Sequence, residues 1–322
     1  MYDPTKPYTS RVLEIIRTTW DTPFLRVVDY RDHALFFLSS NLSQTCAHVD
    51  HTDGIGTKGY YHWEARTWEY AALDALAMNL NDLLMYRAQP FKIQNHITLP
   101  WDDDEAVVGI VEALAKHCKP RHMAITGGET SINDMTDAMD VSISMSGLVG
   151  IYAVNQYLEG DDLIGVPSTG LHANGFTKVR ELNAKDPFLA NGEWPDDFLM
   201  PTAIYWDACF PIIEIAHGAL HVTGGAYTKF KHSLGNVVDI CIGRQHQLQP
   251  QQIFRDIYNK GVPDEEMYRT FNCGIGFIMA VHPDNTPTVL RQLPTAAIIG
   301  GVKAGDGRVR ILSAFSNREV VL

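Results

Sequence analysis

Apolar residues recur along this chain with two periods, and the switches between them outline its elements. Ser10 is placed to cap a short helix over RVLEIIRTTW, which sets Val12, Ile15 and Ile16 on one side. FLRVVDY and HALFFLSS read as two strands joined by a polar Arg31-Asp32 turn. Residues 63–86 form one long helical pattern, with Ala72, Leu76, Leu80 and Leu83 at helical spacing. FKIQNHITL partly alternates and reads as a strand. DDDEAVVGIVEALAKHC is a helix with acids at its N-terminus, where they suit the dipole. HMAITGG is a short buried strand that ends at glycines, and MDVSISMSGLVGIY a longer one. The pattern breaks at Glu159-Gly160-Asp161-Asp162. Beyond it come strand LIGVP, loop STGLHANG, helix FTKVRELN, a further helix after Pro201, loop HVTGGAYTK, and strands NCGIGFIMAV and AAIIGGV. Strands and helices mix without strict βαβ alternation, which predicts two α+β domains, 1–155 and 156–322, rather than a doubly wound sheet.

Composition narrows the function. The 322 residues are 45% apolar and 20% charged, an ordinary globular balance, and the net charge is −12. No run of Lys or Arg offers the basic footprint that nucleic acid requires. The five cysteines, Cys46, Cys118, Cys209, Cys241 and Cys273, are scattered without CxxC spacing, which argues against a disulfide framework or a structural zinc. The N-terminal residues lack the basic-then-apolar order of a signal peptide, and no apolar run reaches the roughly 20 residues of a membrane span. A cytoplasmic protein with small-molecule partners is expected, with no nucleic acid and no membrane.

Three acidic positions stand out in the first half: Asp53 in HTDGIGTK (51–58), Asp82 in NLNDLL and Glu129 in GGET. Each has an ordinary reading as a turn former, a solvated helix position or a helix start. HTDGIGTK itself carries an Asp-Gly hairpin signal, and it lacks the spacing of a P-loop. Carboxylates beside glycines would also suit Mg²⁺ shared with phosphates, because glycines let backbone N–H groups approach phosphate oxygens. Asp74 and Asn81, seven apart, share one helix face with leucines nearby; they form either a polar stripe facing water or a buried pair, and a buried carboxylate there needs a partner or a metal. In the second half, His172 and Asn174 sit in a Gly-flanked strand-to-helix loop. His221 and Thr223 precede Gly224 and Gly225, with Lys229 beyond.

Taken in order, TDGIGTK (52–58), LDALAMNLNDLL (73–84), GGET (127–130), GDDLIGVPSTGLHANGFTKVR (160–180), PTAIY (201–205), HVTGGAYTK (221–229) and EMYRTFNCGIG (266–276) resemble the aminoimidazole ribonucleotide synthetase family, the phosphoribosylformylglycinamidine cyclo-ligases. GLHANG and MYRTFNCGIG are the most specific of these. The resemblance implies a two-domain α+β fold whose N-terminal strands pair across a homodimer into a barrel. It implies ATP-dependent closure of formylglycinamidine ribonucleotide to aminoimidazole ribonucleotide, through phosphorylation of the formyl amide oxygen. It further implies Asp53, Asp82 and Glu129 as Mg²⁺-ATP carboxylates. Lys58 becomes a phosphate contact, and Gly54, Gly56, Thr57, Asn81, Gly127 and Gly128 complete the nucleotide side. His172 and His221 are the catalytic candidates, and Asn174, Gly224 and Gly225 the substrate-side ones.

Several positions depart from the family pattern. The region upstream of the first motif, TTWDTPFLRVVDYRDHALFFLSS, has no glycine where the family carries a Gly-rich cover for the nucleotide. Asn95-His96 stands for Asp-Tyr, Arg87 for glycine, Ala226 for a third glycine, and GGET continues Ser131-Ile132-Asn133-Asp134. These leave two other expectations open: an ATP-dependent enzyme of the same superfamily with another substrate, or a nucleotide-binding homologue with reduced catalysis.

Overall fold

Burial of one helix stripe and alternate strand positions builds two compact units, Met1–Tyr152 and Ala153–Leu322, each mixing helices with a sheet. The computed structural model describes residues 6–30, 33–39, 47–150, 154–188 and 194–322. The expected Arg31-Asp32 turn and Cys46 lie outside them.

Unit 1 contains α1 (Thr9–Arg17), β1 (Leu25–Tyr30), β2 (His33–Leu38), β3 (Ala47–Gly54), α2 (Lys58–Ala65), α3 (Trp68–Met85), β4 (Ala88–Leu99), α4 (Asp104–Cys118), β5 (Ala124–Ile132) and β6 (Asp140–Val149). Four strands form one sheet in the order β3-β6-β4-β5, with only the β4–β5 pair parallel. Helix α3 lies on β3, β6 and β4 and packs against α4. Ile93, Ile97, Val141, Ile143 and Met145 are fully buried, while Gln94, His96 and Ser144 on the opposite face are exposed. This is the period-2 alternation of a sheet covered on one side.

The described residues of the glycine-free upstream region pack against the sheet of unit 1. Trp20 Nε1 donates to Ile125 O at 2.8 Å, and β1 and β2 pair as an antiparallel hairpin. Leu25 from the hairpin joins a buried cluster with Phe91, Ala124 and Leu148, flanked by Trp20, Phe24 and Val27.

Three local expectations are corrected. Ser10 is not a cap: α1 starts at Thr9, two residues before the expected Arg11, and the Tyr8 position before it makes no side-chain capping bond. The single helix over 63–86 is two helices. Arg66 adopts φ 53°, and Thr67 Oγ1 is bonded to His62 Nδ1 at 2.7 Å. Arg66 also reaches Asp103 and Glu105 at 3.0 and 3.2 Å, which fixes the break against the start of α4. Trp63 and Trp68 are buried on both sides of the break, so helical spacing runs through it unmarked. Finally, β5 does not stop at Gly127-Gly128. It pairs with β4 through to Ile132, so Glu129 lies within a strand rather than starting a helix.

Unit 2 contains β7 (Asp162–Pro167), α5 (Phe176–Lys185), β8 (Ala216–His221), β9 (Val238–Ile242), β10 (Ile275–Val281), β11 (Ala297–Ala304), β12 (Val309–Leu312) and β13 (Glu319–Val321). They form a seven-stranded sheet ordered β13-β12-β9-β11-β7-β10-β8, antiparallel except for the β12–β9 pair. The helix expected after Pro201 is reduced to Trp206–Cys209, followed by a 3₁₀ turn over Phe210–Ile215. Pro211 has no N–H to continue an α-helical ladder. The short strands β9, β12 and β13 are additions to the expected elements. Among the described residues no helix is long and apolar enough to cross a membrane.

Candidate functional site

HTDGIGTK is neither a hairpin nor a P-loop. It is the end of β3, a turn over residues 55–57, and the first residue of α2. Two glycines are required by close approach. A Cβ on Gly59 would lie 1.8 Å from Met139 O, and one on Gly54 would lie 2.6 Å from Ser142 Oγ. Gly56 takes φ +53° with open space around it, and its N–H donates to Asp140 Oδ1 at 3.2 Å. The turn is thus pressed against β6 and leaves Gly56 uncovered.

Alternation along β3 sets His51 and Asp53 on the face covered by α3. There His51 Nδ1 pairs with Asn79 Oδ1 at 2.9 Å, and Asn79 Nδ2 donates to Asp53 O at 3.1 Å. His51 Nε2 meets Asp82 Oδ2 at 3.2 Å. A network therefore joins the two segments that carry Asp53 and Asp82. Burial alone would lower the His51 pKa. The hydrogen bonds to Asp82 and Asn79 and the charges of Asp82 and Asp53 outweigh it, so the pKa is raised. Neither His51 nor Asn79 was singled out from the sequence. His51 lies two residues before Asp53 on the same strand face, and Asn79 lies three before Asp82 on the helix. That shared spacing is the available signal. A raised folded pKa stabilises fully below the ordinary value of 6.5 and is lost as pH rises through the folded value. Wild-type stability is therefore expected to fall between about pH 6 and 8, and His51→Gln to flatten that slope. Urea melts across this range check it, and parallel slopes would contradict it.

The helix beginning at Lys58 holds a buried charge cluster. Lys58 Nζ lies 2.7 Å from Asp74 Oδ2, with both side chains at 0% exposure. His62 Nε2 reaches the same oxygen at 2.8 Å. Burial alone would raise the Asp74 pKa, but the Lys58 charge and the His62 hydrogen bond hold it well below the usual carboxylate range. Burial pushes His62 down despite Asp74. A neutral ring then donates from Nε2 and accepts the Thr67 hydroxyl at Nδ1. The Asp74 question is answered by a partner rather than a metal. Lys58, expected at a phosphate, is instead enclosed beside a carboxylate. Asn81 is likewise fully buried.

Glu129 stands apart from the other two carboxylates. It pairs with His96, His96 with Ser142, and Ser142 with Gly54, which makes one row across the sheet. His96 Nε2 meets Ser131 Oγ at 3.0 Å, which confirms that this row shares the outer face. Asp53 points to the other face, and three strand spacings put the ends of the row roughly 14 Å apart. Glu129 is exposed and Gly127 buried, and Glu129 Oε1 accepts from Thr130 N at 2.9 Å. Among the described residues no three His, Cys, Asp or Glu side chains converge as a metal site.

In unit 2 the expected residues gather in loops at one end of β7, β8 and β10. His172, at φ 63°, accepts at Nε2 from Thr169 N–H at 3.1 Å. Asn174 Nδ2 donates to Thr270 O at 2.5 Å. Asn272 Nδ2 donates to Gly170 O at 2.8 Å, and Tyr227 Oη to Asn272 O at 2.8 Å. GLHANG and FNCGIG are therefore mates that lock each other. His172 and His221 are both fully buried, and the Tyr205 ring lies 6.1 and 6.3 Å from theirs. The two catalytic candidates are thus enclosed side chains of the loop bases. Gly224 and Gly225 are exposed, at φ 28° and 86°. Lys229 Nζ stands 3.5 Å from the neighbouring Thr223 Oγ1.

The family model described as "AIR synthase related protein, N-terminal domain" matches residues 31–149, and its C-terminal counterpart matches 159–312. A protein of Saccharolobus solfataricus named phosphoribosylformylglycinamidine cyclo-ligase is 33% identical over 80% of this chain and 79% of its own. One of the same name from Enterococcus faecalis is 35% identical over 82% of each. Solved structures share the two-domain fold. They include HypE of E. coli, with TM-score 0.69 and 17% identity over 97% of this chain and 96% of that one. Another is the hydrogenase maturation protein HypE in complex with ATP, with TM-score 0.65 and 16% identity over 99% and 95%.

Proposed function

This chain belongs to the AIR synthase related family, and from that premise we propose that it closes the imidazole ring of formylglycinamidine ribonucleotide, using ATP. The observation that carries this is the kinship, across both units, with relatives named for that cyclo-ligase reaction. ATP phosphorylates the formyl amide oxygen and leaves as ADP; an amidine nitrogen of the substrate attacks the same carbon, loses its proton, and phosphate leaves as the ring closes. An amide oxygen is a poor leaving group and its phosphate ester a good one. Catalysis then consists of positioning and of stabilising charge on the transferring group.

On the nucleotide side, Gly54, Gly56 and Thr57 form the strand-to-helix turn, and uncovered Gly56 supports an approach by phosphate. The HypE structure with ATP supports nucleotide binding on this fold. Mg²⁺, when bound, neutralises phosphoryl charge. Asp53 and Asp82, joined through His51 and Asn79, fit an ion shared with nucleotide phosphates and water, which needs only one or two carboxylates. They do not fit an all-protein cage. We assign Glu129 and the Gly127-Gly128 strand to the site of a partner copy. The barrel homodimer that this requires is the one the family resemblance implies. Lys58 holds the turn through Asp74.

On the substrate side, exposed Gly224 and Gly225 beside Lys229 offer backbone N–H groups and a cation to the ribotide phosphate. Asn174 fixes the facing loop. His172 Nε2 carries no proton while it accepts from Thr169, so this imidazole shapes the loop. The four described cysteines are free thiols, which supports a reducing cytoplasm as the setting. The test is incubation of the purified protein with formylglycinamidine ribonucleotide, ATP and Mg²⁺. ADP and aminoimidazole ribonucleotide in equal amounts are expected, and the absence of both would overturn the reading.

A further inference from the structure

The PTAIY segment, residues 201–205, contributes no group to the chemistry above, yet it is bonded to the histidine loop at three points. Thr169 Oγ1 donates to Pro201 O at 2.8 Å. Ala173 N–H donates to Thr202 Oγ1 at 2.9 Å. Tyr205 Oη donates to Pro167 O at 2.8 Å, one residue before the loop begins. Thr202 and Tyr205 are 2% and 4% exposed, so neither hydroxyl competes freely with water for these bonds. The Tyr205 ring stacks on Phe277 with centroids 5.6 Å apart and lies between the two imidazoles. Room for it comes from Gly276, where a Cβ would sit 1.9 Å from the tyrosine hydroxyl and 2.6 Å from His172 Cε1.

The loop needs such a hold. His172 is a non-glycine residue at φ 63°, in the region that L-residues enter only when the surroundings over-determine them. Gly170 at φ 138° and Gly175 at φ 77° give the rest of the loop no stiffness of its own. The Asn272 side chain fixes Gly170 O, but the Ala173 N–H and the Thr169 hydroxyl depend on the 201–205 segment. Thr169 is exposed and Asn174 and Gly175 half-buried, so these are the loop groups that a ligand reaches.

We infer that Thr202 and Tyr205 are positioning residues: the 201–205 segment is a strap that holds loop 168–175 in its strained form, so that Thr169 and the Asn174–Gly175 turn face the phosphorylated substrate. The inference rests on the reading of this loop as the ribotide side, and its structural half is tested separately. Thr202→Val keeps the shape and removes the acceptor. Ala173 amide exchange is expected to quicken about fivefold or more, the equivalent of one lost hydrogen bond. The KM for the ribotide should rise by a similar factor while the KM for ATP stays within twofold. Thr202→Ser, which keeps the hydroxyl, should restore both, and Tyr205→Phe should move the ribotide KM in the same direction. An unchanged Ala173 exchange rate in Thr202→Val overturns the strap. Faster exchange with both KM values unchanged overturns its part in substrate positioning. If the wild-type chain itself shows no turnover, the reaction assignment fails, and amide exchange together with wild-type and variant binding of ribose 5-phosphate then decides the strap.

Discussion

Asp74→Asn is expected to destabilise unit 1 by about 3–5 kcal/mol, because it leaves the Lys58 ammonium buried without its counter-ion. For a unit of this size that is a fall in melting temperature of about 10 °C. Lys58→Met should cost a comparable amount, since the carboxylate then keeps only a neutral imidazole. The informative variant is the double one, Lys58→Met with Asp74→Leu, which replaces the ion pair by apolar groups of similar bulk. Such replacements are often neutral or stabilising, but the buried His62 Nε2–H loses its acceptor at a cost of about 1–3 kcal/mol, so the double variant should melt above either single one and recover ATP turnover per folded molecule. If Lys58 contacts a phosphate, the double variant will regain stability and still fail to use ATP. The sign with pH follows from the depressed Asp74 pKa. Its contribution is complete above the ordinary value of 3.8 and is lost only as pH falls toward the folded value. Melts of the wild type and of the double variant should therefore differ little in pH dependence between about pH 5 and 7.

Asp82→Asn is expected to reduce ATP-dependent turnover by about a hundredfold or more, the scale seen when one preorganised electrostatic group is removed from a transferring phosphoryl centre. Its effect on stability should be far smaller. Asp82 keeps slight exposure and meets His51 at 3.2 Å, and an asparagine oxygen can still accept from His51. A sharp drop in melting temperature with full activity per folded molecule would make this carboxylate structural. Asp74 and Asp82 lie on the same helix, eight residues apart, and are predicted to fail in opposite ways. What separates them is the partner: an enclosed ammonium for one, and a half-buried imidazole beside a second carboxylate for the other.

Much of the architecture was legible because it rests on local pattern. The α4 helix announces itself by acids at its start, and Asp103 does cap it by accepting from Ala106 N–H. The paired glycine loops were legible as motifs, since backbone geometry there demands particular residues. The break at Arg66 was not legible, because buried tryptophans on both sides keep helical spacing through it. Nor was the course of β5 through Gly127-Gly128. Its hydrogen bonds come from β4, whose Gln94 and Asn95 stand opposite Gly127 and Gly128, a neighbour in space and not in sequence, and so override the weak strand preference of glycine.

The sequence by itself determined which residues belong to the family's motifs, their order, the α+β class and the apolar faces that close each unit, since period and residue type suffice for these. Only the tertiary structure decided what each polar residue meets. It placed Asp53 and Glu129 on opposite faces of one sheet, enclosed Lys58 with Asp74, and buried both histidines around Tyr205. Charge and hydrogen bonding act over a few ångströms in space, and residues 58 and 74, or 172, 205 and 221, become neighbours only when the chain has folded.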